Sequence, residues 1–204
     1  MSCKVYFDTE TTGFKPGQIT QLSMIVESEN GDVNAVNYFF TVDYITEGAK
    51  AVTGHDVDYY REVSGGKVFA DKSKEIYRLF EPSVICAHNT PFDQNFIFTE
   101  LWRCGLSYKP VGTFDTMQYY KDIMKMPGRY GKYKNPKLSE LVEFLNIDVE
   151  KLKTYCKKLF NCDDAAYHDA RMDATAVFVI CMLTKEDVNN LENKPWHDTF
   201  CIKK

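Results

Sequence analysis

Apolar and polar positions change period several times along the chain, and the changes mark its elements. Residues 3–8 (CKVYFD) form a short apolar run bounded by polar residues, which predicts a central strand. Residues 18–28 and 34–42 are two further β-rich runs, with Asn30-Gly31 between them as a hairpin signal. The first sixty residues therefore read as a three-stranded meander. From residue 69 the period lengthens: Ile76, Leu79 and Phe80 share one face of a helix over 69–81, and Pro82 ends it. Residues 83–87 read as a fourth strand. Thr90 as cap and Pro91 in the first turn then open a helix to about Cys104, with Gly105 as its stop. Another helix begins near Asp115 and ends by Met126, and 126–137 reads as a loop. Residues 138–145 and 149–160 are amphipathic helices, and 167–183 is a last helix with a strongly apolar second half. Strands that cluster early and then alternate with helices predict an α/β chain, a mixed sheet with helices on its faces.

Composition narrows the class. A chain of 204 residues with 44% hydrophobic and 26% charged residues sits near globular averages, which excludes a disordered or fibrous protein and suits one domain over 1–204. The longest apolar runs fall far short of the roughly 20 residues of a membrane span, and no signal peptide is visible after Met1. There are seven cysteines and no C-x-x-C pair, so a structural zinc site is not expected. Cys86 and Cys181 lie in apolar runs and read as buried thiols, which points to the reducing cytoplasm.

The net charge of -4 excludes a whole-surface grip on nucleic acid but not a local groove. The charge is also uneven. Residues 1–60 hold three basic and nine acidic side chains, whereas 121–137 holds six basic side chains against Asp122 alone. Tyr119, Tyr120, Tyr130 and Tyr133 interleave with that basic run. Positive charge for phosphates and rings for stacking are what a single-strand groove needs, so Arg129, Tyr130, Lys132, Tyr133 and Lys134 are candidate strand contacts. A solvated loop explains the same residues.

Three acidic segments carry the chemistry. In Phe7-Asp8-Thr9-Glu10-Thr11-Thr12-Gly13, the i and i+2 carboxylates project from one face of a strand. Burying both is costly unless cations neutralise them, which is the pattern of a hard, oxygen-liganded metal site. Asp148-Val149-Glu150 has the same spacing, but it lies between two helices, where capping explains it. In His88-Asn89-Thr90-Pro91-Phe92-Asp93, Asp93 stands in the first turn of a helix, where capping free amides explains a carboxylate, but the helix follows a buried strand, where ligand sites collect in open α/β sheets. In His168-Asp169-Ala170-Arg171-Met172-Asp173, Asp173 enters an otherwise apolar helix and needs a partner there, unless it is a partly exposed first-turn acid. His168 and Asp173 are five residues apart, about 140° on a helix, so a shared site requires His168 to precede the helix. His88 has the same offset from Asp93, and on spacing either histidine serves as a base.

Taken together, the three segments resemble the motifs of the DnaQ-like family of 3′→5′ exonucleases, the DEDDh group, whose proofreading member is the epsilon subunit of bacterial DNA polymerase III. The match spans residues 3–183. A sister group carries a tyrosine four residues before the last aspartate. That position is Asp169 here and Tyr167 lies six residues back, so the histidine subtype is indicated. The resemblance implies a ribonuclease H-like five-stranded mixed sheet. It implies two divalent ions, Mg2+ or Mn2+, on Asp8, Glu10, Asp93 and Asp173, with His168 as the base. Two ions about 3.5–4 Å apart can clamp an in-line phosphoryl displacement, and an imidazole suits proton transfer at neutral pH.

The resemblance further implies nucleotide contacts from Thr11, Thr12, Gly13, His88, Asn89 and Phe92, although Phe92 also suits a core position. Asp115 reads as a helix cap. The basic, aromatic-rich stretch 119–137 is an elaboration on the family pattern. Gln21-Leu22-Ser23-Met24-Ile25 looks like a sliding-clamp peptide but falls in a predicted strand and is discounted. The implied substrate is single-stranded or frayed DNA, with nucleoside monophosphates released, and a DNA polymerase subunit is the implied partner. RNA as substrate and a catalytically silent nucleic-acid-binding module are the alternatives.

Overall fold

The computed structural model describes residues 3–14, 17–164, 168–190 and 192–202. Five strands form one sheet: β1 (Cys3–Thr11), β2 (Ile19–Glu27), β3 (Val33–Phe39), β4 (Ser83–Ala87) and β5 (Gly112–Asp115). Their order is β3-β2-β1-β4-β5. β1 runs antiparallel to β2 and parallel to β4, and β4 is parallel to β5, so the sheet is mixed and β1 is central. The β2–β3 hairpin turns at Gly31, whose φ of 89° a side chain would strain.

The helices are α1 (Glu47–Thr53), α2 (Val57–Ser64), α3 (Phe69–Phe80), α4 (Thr90–Arg103), α5 (Thr116–Met124), α6 (Leu138–Phe144), α7 (Val149–Phe160), α8 (Ala170–Val188) and α9 (Pro195–Phe200). Alternation along β1 divides them into two layers. Val5 and Phe7 face a core built with α3 and α4, through Phe80, Ile97 and Leu101. Tyr6, on the opposite face, enters a core built around α8, with α5, α6, α7 and α9 packed on it. The Tyr6 ring meets Phe178 edge to face at 4.9 Å. α8 is buried along almost its whole length, which is why its pattern is apolar on every side rather than amphipathic.

Several expectations change. The first sixty residues are not only a meander, because α1 and α2 follow β3. Their stop and start signals are in the sequence: Thr46 and Asp56 cap the two starts, and Gly54 and Gly65 end them in left-handed conformations. β5 went unpredicted because four residues are too few to display a period. Thr90 is not the cap of α4. Asn89 holds that position at φ 72°, and the Thr90 hydroxyl donates to the carbonyls of Ala87 and Phe114. Asp115 and Asp148 are helix caps, as read. Gln21–Ile25 lies in β2. Tyr167 lies outside the described residues.

Candidate active site

The acidic segments meet at the carboxyl end of β1 and β4. Asp8 and Glu10 project from the α8 face of β1, next to Ser23 and Gln21 of β2. α8 crosses that face and brings Asp173 to them. α4 lies on the opposite face, and Asp93 in its first turn reaches the end of β1 from there. Its Oδ1 accepts from the Thr9 amide at 3.1 Å and from the Thr9 hydroxyl at 2.7 Å. His168 precedes α8, exposed and with φ 65°, so its five-residue offset from Asp173 is met outside the helix.

Ligand atoms of Glu10, His168 and Asp173 all lie within 4.8 Å of one another. This cluster differs from the expected four carboxylates. Asp8 and Asp93 stand outside it, Asp93 with one oxygen held by Thr9.

Electrostatics tie all four carboxylates to one locality. Burial, then repulsion from Asp93, Asp173 and Glu10, pushes the Asp8 carboxyl well above the usual carboxylate range. Burial and then Asp173 and Asp93 push Glu10 up to about 9. Burial raises Asp93 to about 7 against the two Thr9 hydrogen bonds, and raises Asp173 to about 7 against a backbone hydrogen bond from His168. The Asp173 Oδ1 is buried and has no hydrogen-bond partner among the described residues. A crowd of acids that repel one another, with one buried oxygen unsatisfied, fits divalent cations.

Beside the acids lies a cleft of about 410 Å³, lined by Thr9, Glu10, Thr11, Gly13, Phe14 and Phe92, and by Thr46, Gly48, Ala49, Val52 and Thr53 across from them. Of the expected nucleotide contacts, Thr11, Gly13 and Phe92 therefore line the cleft. Gly13 has φ 145°, and a Cβ there would stand 2.8 Å from the Thr46 side chain, so the turn and α1 approach as closely as glycine allows. Thr12 does not line the cleft. It is fully buried, and its hydroxyl accepts from the Gln18 amide at 3.0 Å.

His88 also departs from expectation. Its Nδ1 bonds the Thr116 hydroxyl at 2.9 Å and its Nε2 the Pro136 carbonyl at 3.0 Å, so both ring nitrogens are committed within the protein. The ring is a latch between the end of β4 and the basic loop. Asn89 is exposed, and its backbone amide donates to Asp115 Oδ1. In the loop, Arg129, Tyr130, Lys132 and Tyr133 are exposed, Tyr130 to 97%. Lys134 pairs with Glu140, which offsets its charge.

Sequence reasoning missed two groups. Phe14 is 84% exposed and meets Phe92 edge to face at 6.2 Å, and α1 forms the far wall of the cleft. Gln21, Asp169 and Arg171 form a polar network under the start of α8. An aromatic directly after the Thr-Thr-Gly turn was the available signal for Phe14. The network left none, because Gln21 is far in sequence from the two residues it joins.

The exonuclease family model RNase_T matches residues 5–181. The 3′-5′ exonuclease DinG of Staphylococcus saprophyticus is 26% identical over 144 residues, 69% of this chain and 15% of that protein. DinG of Staphylococcus haemolyticus is 33% identical over 82 residues, 40% of this chain and 8% of that protein. The chain thus spans only a small part of these relatives. Among solved structures, E. coli Exonuclease I in complex with a dT13 oligonucleotide aligns with a TM-score of 0.67 at 17% identity, over 93% of this chain and 43% of its own. Its complex with a dA16 oligonucleotide gives 0.66, also at 17%, over 92% and 41%. At that identity the likeness shows the fold, a ribonuclease H-like mixed sheet flanked by helices. With a family model running from β1 through the middle of α8, the chain belongs to the RNase_T exonucleases, the DnaQ-like group its three acidic motifs resemble.

Proposed function

We propose that residues 1–204 serve as one exonuclease domain that hydrolyses phosphodiester bonds at the 3′ end of single-stranded or frayed DNA and releases nucleoside monophosphates. The observation that carries this reading is the gathering of Asp8, Glu10, Asp93, Asp173 and His168 at the carboxyl end of the central strands, beside an aromatic-lipped cleft. The relatives' names and the oligonucleotides bound to Exonuclease I support the polymer, and a zinc-bound Exonuclease I–DNA complex supports a divalent metal.

Asp8, Glu10, Asp93 and Asp173 would hold two ions, Mg2+ or Mn2+. When bound, the ions supply positive charge at the scissile phosphate and acidify the attacking water. His168 takes the proton from that water as its oxygen bonds to phosphorus. The bond from phosphorus to the 3′ oxygen breaks, and that oxygen gains a proton from solvent. Thr11, Gly13 and Phe92 hold the terminal nucleotide, and Arg129, Tyr130, Lys132 and Tyr133 guide the strand. A ring nitrogen of His168 lies within 4.8 Å of ligand atoms of Glu10 and Asp173, close enough to share an ion with them. We assign it the base because four carboxylates already offset two divalent charges.

The test is metal-dependent nucleotide release from labelled single-stranded DNA and RNA of one sequence. Release from DNA is expected; release from RNA alone would make the chain an exoribonuclease, and release from neither, with metal present, would make it a silent binding module. His168→Ala should lower kcat on the order of 10²- to 10⁴-fold while Mn2+ binding persists. Wild-type turnover by that variant would remove His168 from the chemistry. A polymerase partnership belongs to this reading through the epsilon resemblance, and co-purification with a polymerase subunit tests it. The cytoplasm, where the seven free thiols would stay reduced, is the proposed compartment. Among the described residues no helix is long and apolar enough to cross a membrane.

A further inference from the structure

We propose that Gln21 is a positioning residue for His168, acting through Asp169; this rests on His168 being the base. Gln21 is buried on β2 directly across from Glu10. Its Nε2 donates to Asp169 Oδ1 and to Asn37 Oδ1, both at 2.9 Å, and its Oε1 accepts from the Ala170 amide at 3.3 Å. The Ala170 amide can only donate and the Asp169 carboxylate only accept, which fixes which end of the Gln21 amide donates.

Asp169 in turn caps α8, accepts from the Arg171 amide and guanidinium, and holds that guanidinium over the Phe39 ring at 5.9 Å. One amide therefore clamps the first two residues of the α8 start, Asp169 and Ala170, to the strand beside Glu10. His168 is bonded covalently to Asp169, is exposed, and sits at φ 65° outside the helix. Its main chain is tied to Asp169 by the peptide bond and to Asp173 by a backbone hydrogen bond, so its position depends on both neighbours. Asp173, by contrast, lies a turn further on, in a helix held by its apolar packing. Loss of the clamp should displace His168 and leave Asp173 in place. A displacement of about 1 Å at a reacting group costs on the order of 10²-fold in rate.

The test is a double-mutant cycle. Gln21→Met keeps the side-chain length and removes the donors and the acceptor. It should lower kcat on single-stranded DNA by roughly 10- to 100-fold. KM and the half-saturating Mn2+ concentration should stay within about twofold. In a His168→Ala background the same substitution should change kcat by less than about twofold, since there is no base left to misplace. An equal fall in both backgrounds, or no fall in the wild type, overturns the proposal. If Gln21→Met does not fold, Gln21→Asn keeps a buried amide one methylene too short to reach Asp169 and is read by the same cycle. Failure of the underlying reading is separate: it appears as full kcat in His168→Ala, whatever Gln21 does.

Discussion

Phe14 and Phe92 stand at the lip of the cleft, one almost fully exposed and the other half-buried. An exposed ring without core packing stabilises little, and under the proposed function it meets the bound strand. Phe14→Ala should raise KM for single-stranded DNA about 5- to 100-fold, the equivalent of roughly 1–3 kcal/mol of base stacking. Its thermal midpoint should hardly move; a large drop with unchanged KM would make Phe14 a packing residue instead. At this scale the sequence was legible wherever chemistry is local. Asp8 with Glu10 and Asp115 as a cap each declare themselves within a few positions. Thr12 and His88 did not, because their bonds run to Gln18, Thr116 and Pro136, and no local pattern encodes such partners.

Each element delivers one part of the site, and its delivery depends on where it stops. β4 ends at Ala87, and the chain turns through Asn89 in a left-handed conformation to start α4, which aims Asp93 at Thr9. The apolar run of α8 predicts an end at Leu183, yet the helix continues to Val188. Its last turns are polar in sequence but still anchored: buried Glu186 accepts from the amides of Trp196 and His197 in α9. α1 was missed for a different reason. α1 buries no residue, so it lacks the apolar stripe that marks a helix, leaving only its caps to announce it. The latch makes a prediction for the loop. His88→Ala leaves the Thr116 hydroxyl and the Pro136 carbonyl without the ring, and should cost roughly 1–3 kcal/mol of stability. Limited proteolysis should then cut 126–134 faster, while kcat changes little. Loss of kcat with unchanged stability would return His88 to the substrate.

Across the whole molecule, the acid excess and the proposed metal site are one matter. Two helical layers and the sheet between them converge on four carboxylates whose folded pKa values are raised, to about 7 for Asp93 and Asp173 and about 9 for Glu10, against ordinary values of 3.8 and 4.5. The folded, metal-free protein therefore holds more protons than the unfolded chain across this range. Their contribution to stability is fully present below about pH 4 and is lost as pH rises through about 7 and then about 9. In EDTA the thermal midpoint should fall over that window, and Mg2+ or Mn2+ should restore it increasingly at higher pH. A midpoint that rises with pH in EDTA would show the acids relieved by something other than metal. The mixed five-stranded sheet followed from the motif resemblance, whereas the convergence of its layers depends on packing that no single segment carries. The latch has a consequence of another kind. His88 grips the carbonyl of Pro136, a main-chain atom that any residue at that position would offer. The loop's side chains are thus free to drift over generations while its anchor holds, without disturbing the acidic centre beside it.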